Sequence, residues 1–543
     1  MMHSTNPFHQ GELQAHARAG VGDVAKWADG FIRDHLPEQH RAFHSSLPFL
    51  VISGADTAGQ TWITMIDGEE GFITSPTPRR IALDTRVDPT DPLAKTFQTG
   101  SDVGVLGIEL ASRRRNRFSG VLRADAQGLG IDMRQTFGNC PQYIHERAWT
   151  RTSKSAVIDA QLSSKLSTSQ IDLVGAADTM FIGSGYQGRA GATSNGFDAS
   201  HRGGAPGFVH VMDETHLQIP DYAGNNFFNT IGNLIADPHI GLLFVDFETG
   251  GLLHISGRAE IDWDPRNAHD PDAWRSINVT IDAVLERTGA VGLRWTKQDH
   301  LSRRLKLARR VAETDSITSF YFDPADGRPL DPFKAGQHLP IEVQIPGQVG
   351  TSKRSYSLSG SPEDRKSYRL SVKREDNGLV SRYLHDHLHP GSFIEAGPPS
   401  GDFVVPNNDA PLVLVSAGVG FTPMLSALHS NARQNNRSVW YVHGVRNGAD
   451  HALRDEVAHL VATNPNLQAR IFYSQPQQSD EVGQDFDEVG RISAKHLLEI
   501  DAGSDAHYML CGPAAFLADV RNGLEAGGVP PEHIYFETFG PTG

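Results

Sequence analysis

The chain has 543 residues, more than one hydrophobic core holds, so roughly two to four domains follow from length alone. A formal net charge of −15 excludes a nucleic-acid binder, and no window approaches the ~18 uninterrupted apolar residues of a membrane span. Two cysteines, Cys140 and Cys511, are too few for a disulfide framework or a four-thiolate iron–sulfur cluster. The histidines show no HExxH or paired CxxC spacing, so no metal site is predicted.

The start, "MMHSTNPFHQGELQAHARAG", has no basic stretch ahead of an apolar one, which predicts no secretory leader and a cytoplasmic address. An internal repeat follows. "PFLVISGADTAGQTWITMIDGEEGFI" (48–73) shares its layout with "TMFIGSGYQGRAGATSNGFDASHRGGAPGFVHV" (179–211). "DVGVLGIELASRRRNRFSGVLRA" (102–124) aligns without a gap to "HIGLLFVDFETGGLLHISGRAEI" (239–261): Gly104 meets Gly241 and Gly120 meets Gly257, each 137 positions on. Each segment reads as a β-hairpin, two apolar strands around a polar turn. The basic run 112–117 then falls at a hairpin tip, as a solvated turn or as a contact with a phosphate or a neighbouring domain. "FFNTIGNLIADP" (227–238) reads as a helix, with Phe228, Ile231, Leu234 and Ile235 at helical spacing.

"FHQGEL", "FGNCPQYI" (137–144), "DASHRGGAPGFV" (198–209) and "FFNTIGNLIADPHIGLLFVDFETG" resemble the pyridoxamine 5′-phosphate oxidase-like flavoproteins. That resemblance covers about 300 residues. It implies a duplicated split β-barrel, residues 1–150 and 151–304, in which the usual homodimer has become an intramolecular pseudo-dimer. It also implies an FMN phosphate site at Arg202, Asn225, Asn226, Asn229 and Thr230. The alternative for those polar residues is that they cap the helix. The first copy offers "SPTPRRIALD" (75–84) at the corresponding place, so at most one FMN pocket is expected. Cys140 reads as a buried small side chain rather than a redox thiol.

From residue 305 the texture changes to longer strands, read as an antiparallel barrel to 407. Residues 408–543 then alternate strand and helix, an open α/β sheet. "KRSYSLSGSP" (353–362) reads as a strand with Ser355, Ser357 and Ser359 on one face and Arg354, Tyr356 and Leu358 on the other. A cation, a ring and a hydroxyl in one row suit a flavin, phosphate at one end and redox ring at the other. A short helix opens at Gly378–Ser381, and its free N–H groups offer a second diphosphate contact. "LVLVSAG" (412–418) runs directly into "VGFTPMLSALHS" (419–430). Gly418 and Gly420 predict a tight turn with close approach to a diphosphate, Thr422 a helix cap and Pro423 the first helical position.

The order Arg-x-Tyr-Ser, Gly-x-x-Ser, Gly-x-Gly-x-x-Pro, Cys-Gly-Pro and terminal Phe-Glu-Thr-Phe-Gly resembles the ferredoxin–NADP reductase superfamily, and within it the reductase half of flavohaemoglobins. The resemblance covers 305–541. It assigns FAD to Arg354, Ser355, Tyr356 and Ser357, with His338 and Lys373 beside them. Further FAD contacts are Gly378, Leu379, Val380 and Ser381, and Thr538, Phe539, Gly540 and Pro541 near the ring. It assigns NAD(P) to Gly418, Val419, Gly420, Phe421, Thr422, Pro423, Cys511 and Gly512, and reaction chemistry to Tyr356, Ser357 and Glu537. Arg446 follows the second parallel strand, as a 2′-phosphate contact or as an ordinary surface arginine, which leaves NADH and NADPH both open.

The sequence therefore reads as a multidomain α+β and α/β NAD(P)H-dependent flavoprotein oxidoreductase: split barrels, then a flavin barrel, then a Rossmann-like domain. Hydride passes to FAD, and electrons continue to an N-terminal FMN or an external acceptor. In the alternative, the N-terminal half is a flavin-free docking module for haem or a partner protein, and the reductase serves a separate ferredoxin or oxygenase. Relatives of such fusions often continue into a ferredoxin domain, which this sequence does not include.

Overall fold

Strands with apolar residues on both faces dominate the first 300 positions, and such strands need a covering layer on each side. The computed structural model describes the chain apart from residues 1–6, 22–23, 25–31, 126–127, 139–142, 153–157, 189–191, 193, 223, 225, 265–268, 271–272, 298–301, 346–350, 377, 435–436, 501 and 539–543. Cys140, Asn225, Phe539, Gly540 and Pro541 thus lie outside the described residues. The chain divides into two units, residues 1–298 and 299–539.

In the first unit, helix α1 (Gln10–Ala19) opens with a reciprocal cap. His9 Nδ1 accepts from the Gly11 amide at 3.0 Å and the Glu12 carboxyl accepts from the His9 amide at 2.9 Å. Helix α2 (Glu38–Ser45) leads into β1 (Phe49–Ala55), β2 (Thr61–Asp67), β3 (Ile73–Thr77), β4 (Arg80–Leu83), β5 (Asp102–Glu109), β6 (Arg114–Asp125) and β7 (Gly128–Gly138). These form a sheet in the order β2-β1-β5-β6-β7-β4-β3.

After β8 (Arg147–Arg151) and β9 (Ala160–Ser163), helix α3 (Thr168–Ala176) leads into a second set. It comprises β10 (Thr179–Tyr186), β11 (Gly196–Gly203), β12 (His210–Asp213), β13 (His216–Asp221), helix α4 (Asn229–Ala236), β14 (His239–Val245), β15 (Leu252–Asp262) and β16 (Arg275–Arg287). Its order is β11-β10-β14-β15-β16-β13-β12, the same path as the first, with β9 added alongside β16. Strand β17 (Leu293–Lys297) returns to pair with β8. Both sheets carry a register shift at the same point, Ser119/Gly120 between β6 and β7 and Ser256/Gly257 between β15 and β16.

Alternation along the strands divides the apolar residues among three cores. On β1, Leu50 and Ile52 face the first sheet's own core, whereas Phe49 and Val51 face a core built from both sheets. On β14, Ile240 and Leu242 face the second sheet's core, whereas Leu243 and Val245 face the same shared one. The contact is reciprocal. A Cβ on Gly104 would lie 2.5 Å from the Phe197 backbone of the second sheet, and one on Gly241 would lie 2.9 Å from the Trp62 backbone of the first.

Three expectations change here. "SPTPRRIALD" forms the β3–β4 hairpin, the counterpart of β12–β13, so the place matching 225–230 is taken by the turns just before β5. Asn226, Asn229 and Thr230 do not cap α4: the helix starts from Phe228 in a left-handed conformation (φ 56°) with no side-chain cap bond. The basic run is not a solvated turn: Arg113 pairs with Glu146 at 3.1 Å, Arg114 lies over the Phe43 ring, Arg115 reaches His201 and Arg117 binds Asp198.

The second unit begins with β18 (Arg303–Ala312), β19 (Ile317–Pro324), β20 (His338–Val343), β21 (Ser352–Ser357), β22 (Tyr368–Lys373), helix α5 (Leu379–His387) and β23 (Phe393–Ala396). Their order is β21-β20-β23-β18-β19-β22, and a bridge from Leu358 to Leu370 closes the ends into a barrel. A parallel sheet follows: β24 (Leu412–Ala417), helix α6 (Phe421–Gln434), β25 (Val439–Val445), helix α7 (Arg454–Thr463), β26 (Leu467–Tyr473), β27 (Glu488–Val489), helix α8 (Ala494–Leu498), β28 (His507–Gly512), helix α9 (Ala514–Ala526) and β29 (Ile534–Thr538), ordered β27-β26-β25-β24-β28-β29. Barrel and sheet are joined by Arg369 of β22, which grips Glu456 of α7 at 2.6 and 2.8 Å, while His429 of α6 binds the same carboxylate at 2.5 Å. No described helix is long and apolar enough to cross a membrane.

The reciprocal glycines give a direct test of the shared core. Gly104→Val forces a branched side chain onto the Phe197 backbone and is expected to cost about 1–3 kcal/mol or more, seen as a lower midpoint in thermal unfolding. Gly138→Ala, whose Cβ would meet nothing within 4 Å, should leave the midpoint unchanged.

Candidate functional site

The strand order of the parallel sheet reverses at β24, between β25 on one side and β28 on the other, so a crevice opens beyond the ends of β24 and β28. Gly418 begins it in the left-handed region (φ 55°) with open space where a Cβ would stand. Gly418–Gly420 form one 3-10 turn running into α6. A Cβ on Gly420 would lie 2.2 Å from the Cys511 carbonyl oxygen, so its bare α-carbon admits β28. Thr422 is not a cap, since its hydroxyl donates to the Val419 carbonyl at 3.2 Å, and Pro423 sits third in the helix because α6 starts at Phe421, itself buried in the sheet's core. Arg446, just past β25, is exposed with no ion pair among the described residues.

Cys511 on β28 is in register with Glu537 on β29, and Gly512 with Thr538. Burial, with a smaller contribution from Glu537, pushes the Cys511 thiol well up, so it stays protonated. Glu537 is half-buried, its buried Oε2 has no hydrogen-bond partner among the described residues, and desolvation together with the Asp402 charge pushes its carboxyl up to about 8. Next to Asp402, Gly401 stands over the His338 ring, and His338 is the register partner of Ser357. The Ser357 hydroxyl is also buried without a partner.

The rest of the flavin row is arranged otherwise than strict alternation predicts. Arg354 and Ser355 are both exposed, and among the described residues Arg354 donates to the Lys353 carbonyl and meets no carboxylate. Tyr356 is half-buried against the barrel core, and Leu358 lies within that core. Helix α5 starts from Gly378 with no side-chain cap, so its first N–H groups stay available, while Arg310 takes the carbonyls of His385 and Leu388 at its far end. Ser381 donates to the Gly378 carbonyl, and Val380 fills the barrel core, so Leu379 and Val380 contribute backbone alone. Lys373 is paired with Glu375 at 2.8 Å. Two unpartnered buried atoms, an unpaired arginine and an open helix start fit FAD.

The described residues among those nominated for FMN do not fit a phosphate. Arg202 pairs with Asp221 at 3.3 Å, the Asn229 amide donates to Glu12 at 2.6 Å, and Thr230 donates to Asp198 at 3.3 Å. Asn226 is buried in a left-handed conformation. A phosphate would have to displace the carboxyl groups of Asp221, Glu12 and Asp198 from these side chains.

Around these residues lies a polar cluster that sequence reasoning missed. Arg117 binds Asp198 through one nitrogen at 3.0 Å to each oxygen and Asn229 at 3.3 Å through another. His9 Nε2 meets Asn233 at 2.8 Å, and burial lowers its imidazole to about 4. Burial pushes the Glu12 carboxyl up to about 8 against the opposing bonds from His9 and Asn229. The signals were present, since "FHQGEL" carries His9 and Glu12 and the basic run carries Arg117.

Residues 305–405 match the oxidoreductase FAD-binding domain family and residues 414–522 the oxidoreductase NAD-binding domain family. A flavohemoprotein of Deinococcus radiodurans is 40% identical over 241 residues, 44% of this chain and 60% of that protein, and one of Pseudomonas putida is 42% identical over 241 residues, 44% and 59%. The chain therefore spans about 60% of the length of these curated relatives. Among solved structures, the FAD/NAD-binding domain of a Vibrio cholerae nitric oxide dioxygenase is 35% identical, covering 44% of this chain and 99% of that one, with a TM-score of 0.40. The second unit is thus an NAD(P)H-dependent flavin oxidoreductase module that binds FAD and NAD(P)H.

Two outcomes follow from this geometry. Gly420→Val is expected to destabilise the parallel sheet by separating the 418–420 turn from β28, so circular dichroism should show an earlier unfolding transition and not merely weaker nucleotide binding. Glu12 has a folded value near 8 against 4.5 unfolded, so the stability it contributes is complete below pH 4.5 and is lost as pH rises to 8. Denaturant titrations at pH 5 and pH 8.5 should therefore show Glu12→Gln gaining on the parent, by an amount on the order of a few kcal/mol.

Proposed function

We propose that this protein is an NAD(P)H-dependent flavoprotein oxidoreductase that delivers electrons from FAD in its second unit to an acceptor other than an FMN at 225–230. The carrying observation is the pair of buried polar atoms without partners, Ser357 Oγ and Glu537 Oε2, because a folded protein rarely leaves such atoms unsatisfied unless a ligand takes them. When bound, FAD supplies a two-electron acceptor for nicotinamide hydride and releases the electrons singly or in pairs.

The chain's own residues do the positioning. Arg354 and the open start of α5 meet phosphate charge, Gly418 leaves the crevice edge bare for a dinucleotide, and β21 fixes Ser357 through its pairing with β20. Near neutral pH Glu537 keeps a proton at its carboxyl, a store for any proton that must accompany electron transfer. The proposed acceptor is a separate one-electron protein, such as a haem protein, a ferredoxin or an oxygenase. The flavohemoproteins, whose name joins a flavin to a haem, favour that class.

Residues 1–298 are read as two fused copies of a split barrel resembling the pyridoxamine 5′-phosphate oxidase-like proteins. Support comes from the matching strand paths, the register shifts at Ser119/Gly120 and Ser256/Gly257, and the reciprocal approach of Gly104 and Gly241. In an isologous pair each contact occurs twice, which is the pattern of those glycines.

Ser357→Ala should slow anaerobic bleaching of the flavin absorbance by NAD(P)H by about 10- to 100-fold, about 1.4 kcal/mol per decade. An unchanged rate would remove Ser357 from the reaction. Cofactor released from the pure protein should contain FAD and no FMN, and stoichiometric FMN would refute the acceptor assignment.

A further inference from the structure

Within the second unit, hydride transfer joins two parts that have separate cores. The barrel packs around residues such as Phe320 and Leu370, and the parallel sheet around Leu414 and Phe421. Apolar contact between the parts comes from Ile317 and Ala335 of the barrel, which pack with the sheet's core. Such contact is non-directional, so it holds the parts together without fixing the angle between them. A forked arginine–carboxylate pair does fix an angle, because two parallel hydrogen bonds permit one planar arrangement. Arg369 and Glu456 form that fork, Nη1 to Oε2 at 2.6 Å and Nη2 to Oε1 at 2.8 Å.

Each end of the fork is tied to one of the reacting places. On the barrel side, the Arg369 carbonyl accepts from the Ser359 amide at 3.0 Å and from its hydroxyl at 3.3 Å, and the guanidinium donates back to the Ser359 carbonyl. The adjacent residues Leu358 and Leu370 form the bridge that closes the barrel, and Ser357 directly precedes Leu358. On the sheet side, Glu456 lies in the first turn of α7, and its Oε1 also meets His429 Nε2 of α6 at 2.5 Å. His429 stands eight positions after Phe421, roughly 12 Å along a helix that rises ~1.5 Å per residue. Phe421 itself follows the 418–420 turn directly. From Ser357 to Gly418 the connection thus runs through paired backbone, an ion pair and a helix.

Net stability is a poor reason for this fork. Arg369 is 6% exposed, and burial opposes the charge on both partners. Desolvation of that kind offsets much of the attraction, and an apolar pair of similar volume holds such a boundary about as well. What an apolar pair lacks is direction.

We propose that Arg369 and Glu456 are positioning residues for hydride transfer. Through Ser359 on one side and α6 on the other, they hold the 418–420 turn at reacting distance from the flavin row, and so set the rate of transfer rather than the affinity for nucleotide. This rests on the reading that FAD lies along β21 and the nicotinamide nucleotide at the turn. A small misplacement of reacting atoms costs rate steeply, whereas nucleotide contacts at the turn belong to the sheet alone and survive a change of angle.

The test compares the FAD-loaded full chain with Arg369→Lys and with the double change Arg369→Met and Glu456→Leu, using whichever of NADH and NADPH reduces the parent faster. Three quantities are measured: the limiting rate of anaerobic flavin bleaching, the dissociation constant of the oxidised nucleotide by calorimetry, and the long-wavelength absorbance of nicotinamide stacked on flavin. The last is recorded after the oxidised nucleotide is added to dithionite-reduced protein, so it reads geometry without turnover. The double variant should unfold near the parent's midpoint, bind nucleotide within about twofold, lose roughly tenfold or more in limiting rate and lose most of the long-wavelength absorbance. Arg369→Lys keeps the charge but not the fork, so it should fall in the same way, and it decides the matter if the double variant fails to fold. Parent-like rate and absorbance in either folded variant, or a slower rate explained by weaker nucleotide binding, would overturn the proposal. Bleaching of the parent reports the flavin reading by itself, so the two fail separately.

Discussion

The first unit depends on the burial of strands that are apolar on both faces. Leu50 and Ile52 satisfy one side of β1 within its own half, but Phe49 and Val51 on the other side have only the second sheet to cover them. The same holds for Leu243 and Val245 of β14. Neither sheet can shed this requirement, because a one-residue slip would exchange the two faces without removing either. The sheets must therefore meet, and they can do so only where a backbone passes a bare α-carbon, which is why Gly104 and Gly241 stand at the points of closest approach.

A similar constraint shapes the second unit on a smaller scale. The crevice requires β24 and β28 to end close together, and Gly420 permits this by leaving room for the Cys511 carbonyl. Barrel and parallel sheet share one carboxylate besides their apolar contacts: burial alone would raise Glu456, but His429 and Arg369 outweigh it and hold the group at about 2. A pair this well hydrogen-bonded serves orientation more than net stability, since its desolvation offsets much of the attraction. Orientation is what a hydride transfer between two separately bound cofactors needs, as small misplacements of reacting atoms cost rate steeply.

Much of this architecture was legible in the sequence, for identifiable reasons. Period-2 strands and a glycine-rich strand-to-helix turn are local signals, so the α/β alternation after 408 and the start of α5 at Gly378 could be read directly. The individual roles were less legible. Gly420 and Thr422 fit a nucleotide fingerprint by spacing, but a contact with β28, some ninety positions away, decides what Gly420 does. Arg113, Arg114, Arg115 and Arg117 read as a charged turn, because only tertiary structure reveals that each reaches a different partner. The same limit applies to Asn229 and Thr230, whose carboxylate partners Glu12 and Asp198 are remote in sequence.

Covalent fusion of two similar halves has a consequence that a homodimer lacks. In a symmetric pair, any substitution at the boundary occurs twice, so a polar cleft on one side entails the same cleft on the other. Within one chain, positions 117 and 254, or 198 and 62, are free to differ. Here one side carries the Arg117–Asp198 pair, while the other carries Trp62 in an apolar cluster together with the buried Arg287–Asp91 pair. Burial of Trp62, Leu93 and Leu285 contributes to the association of the halves, at about 25 cal/mol per Å² of area removed from water.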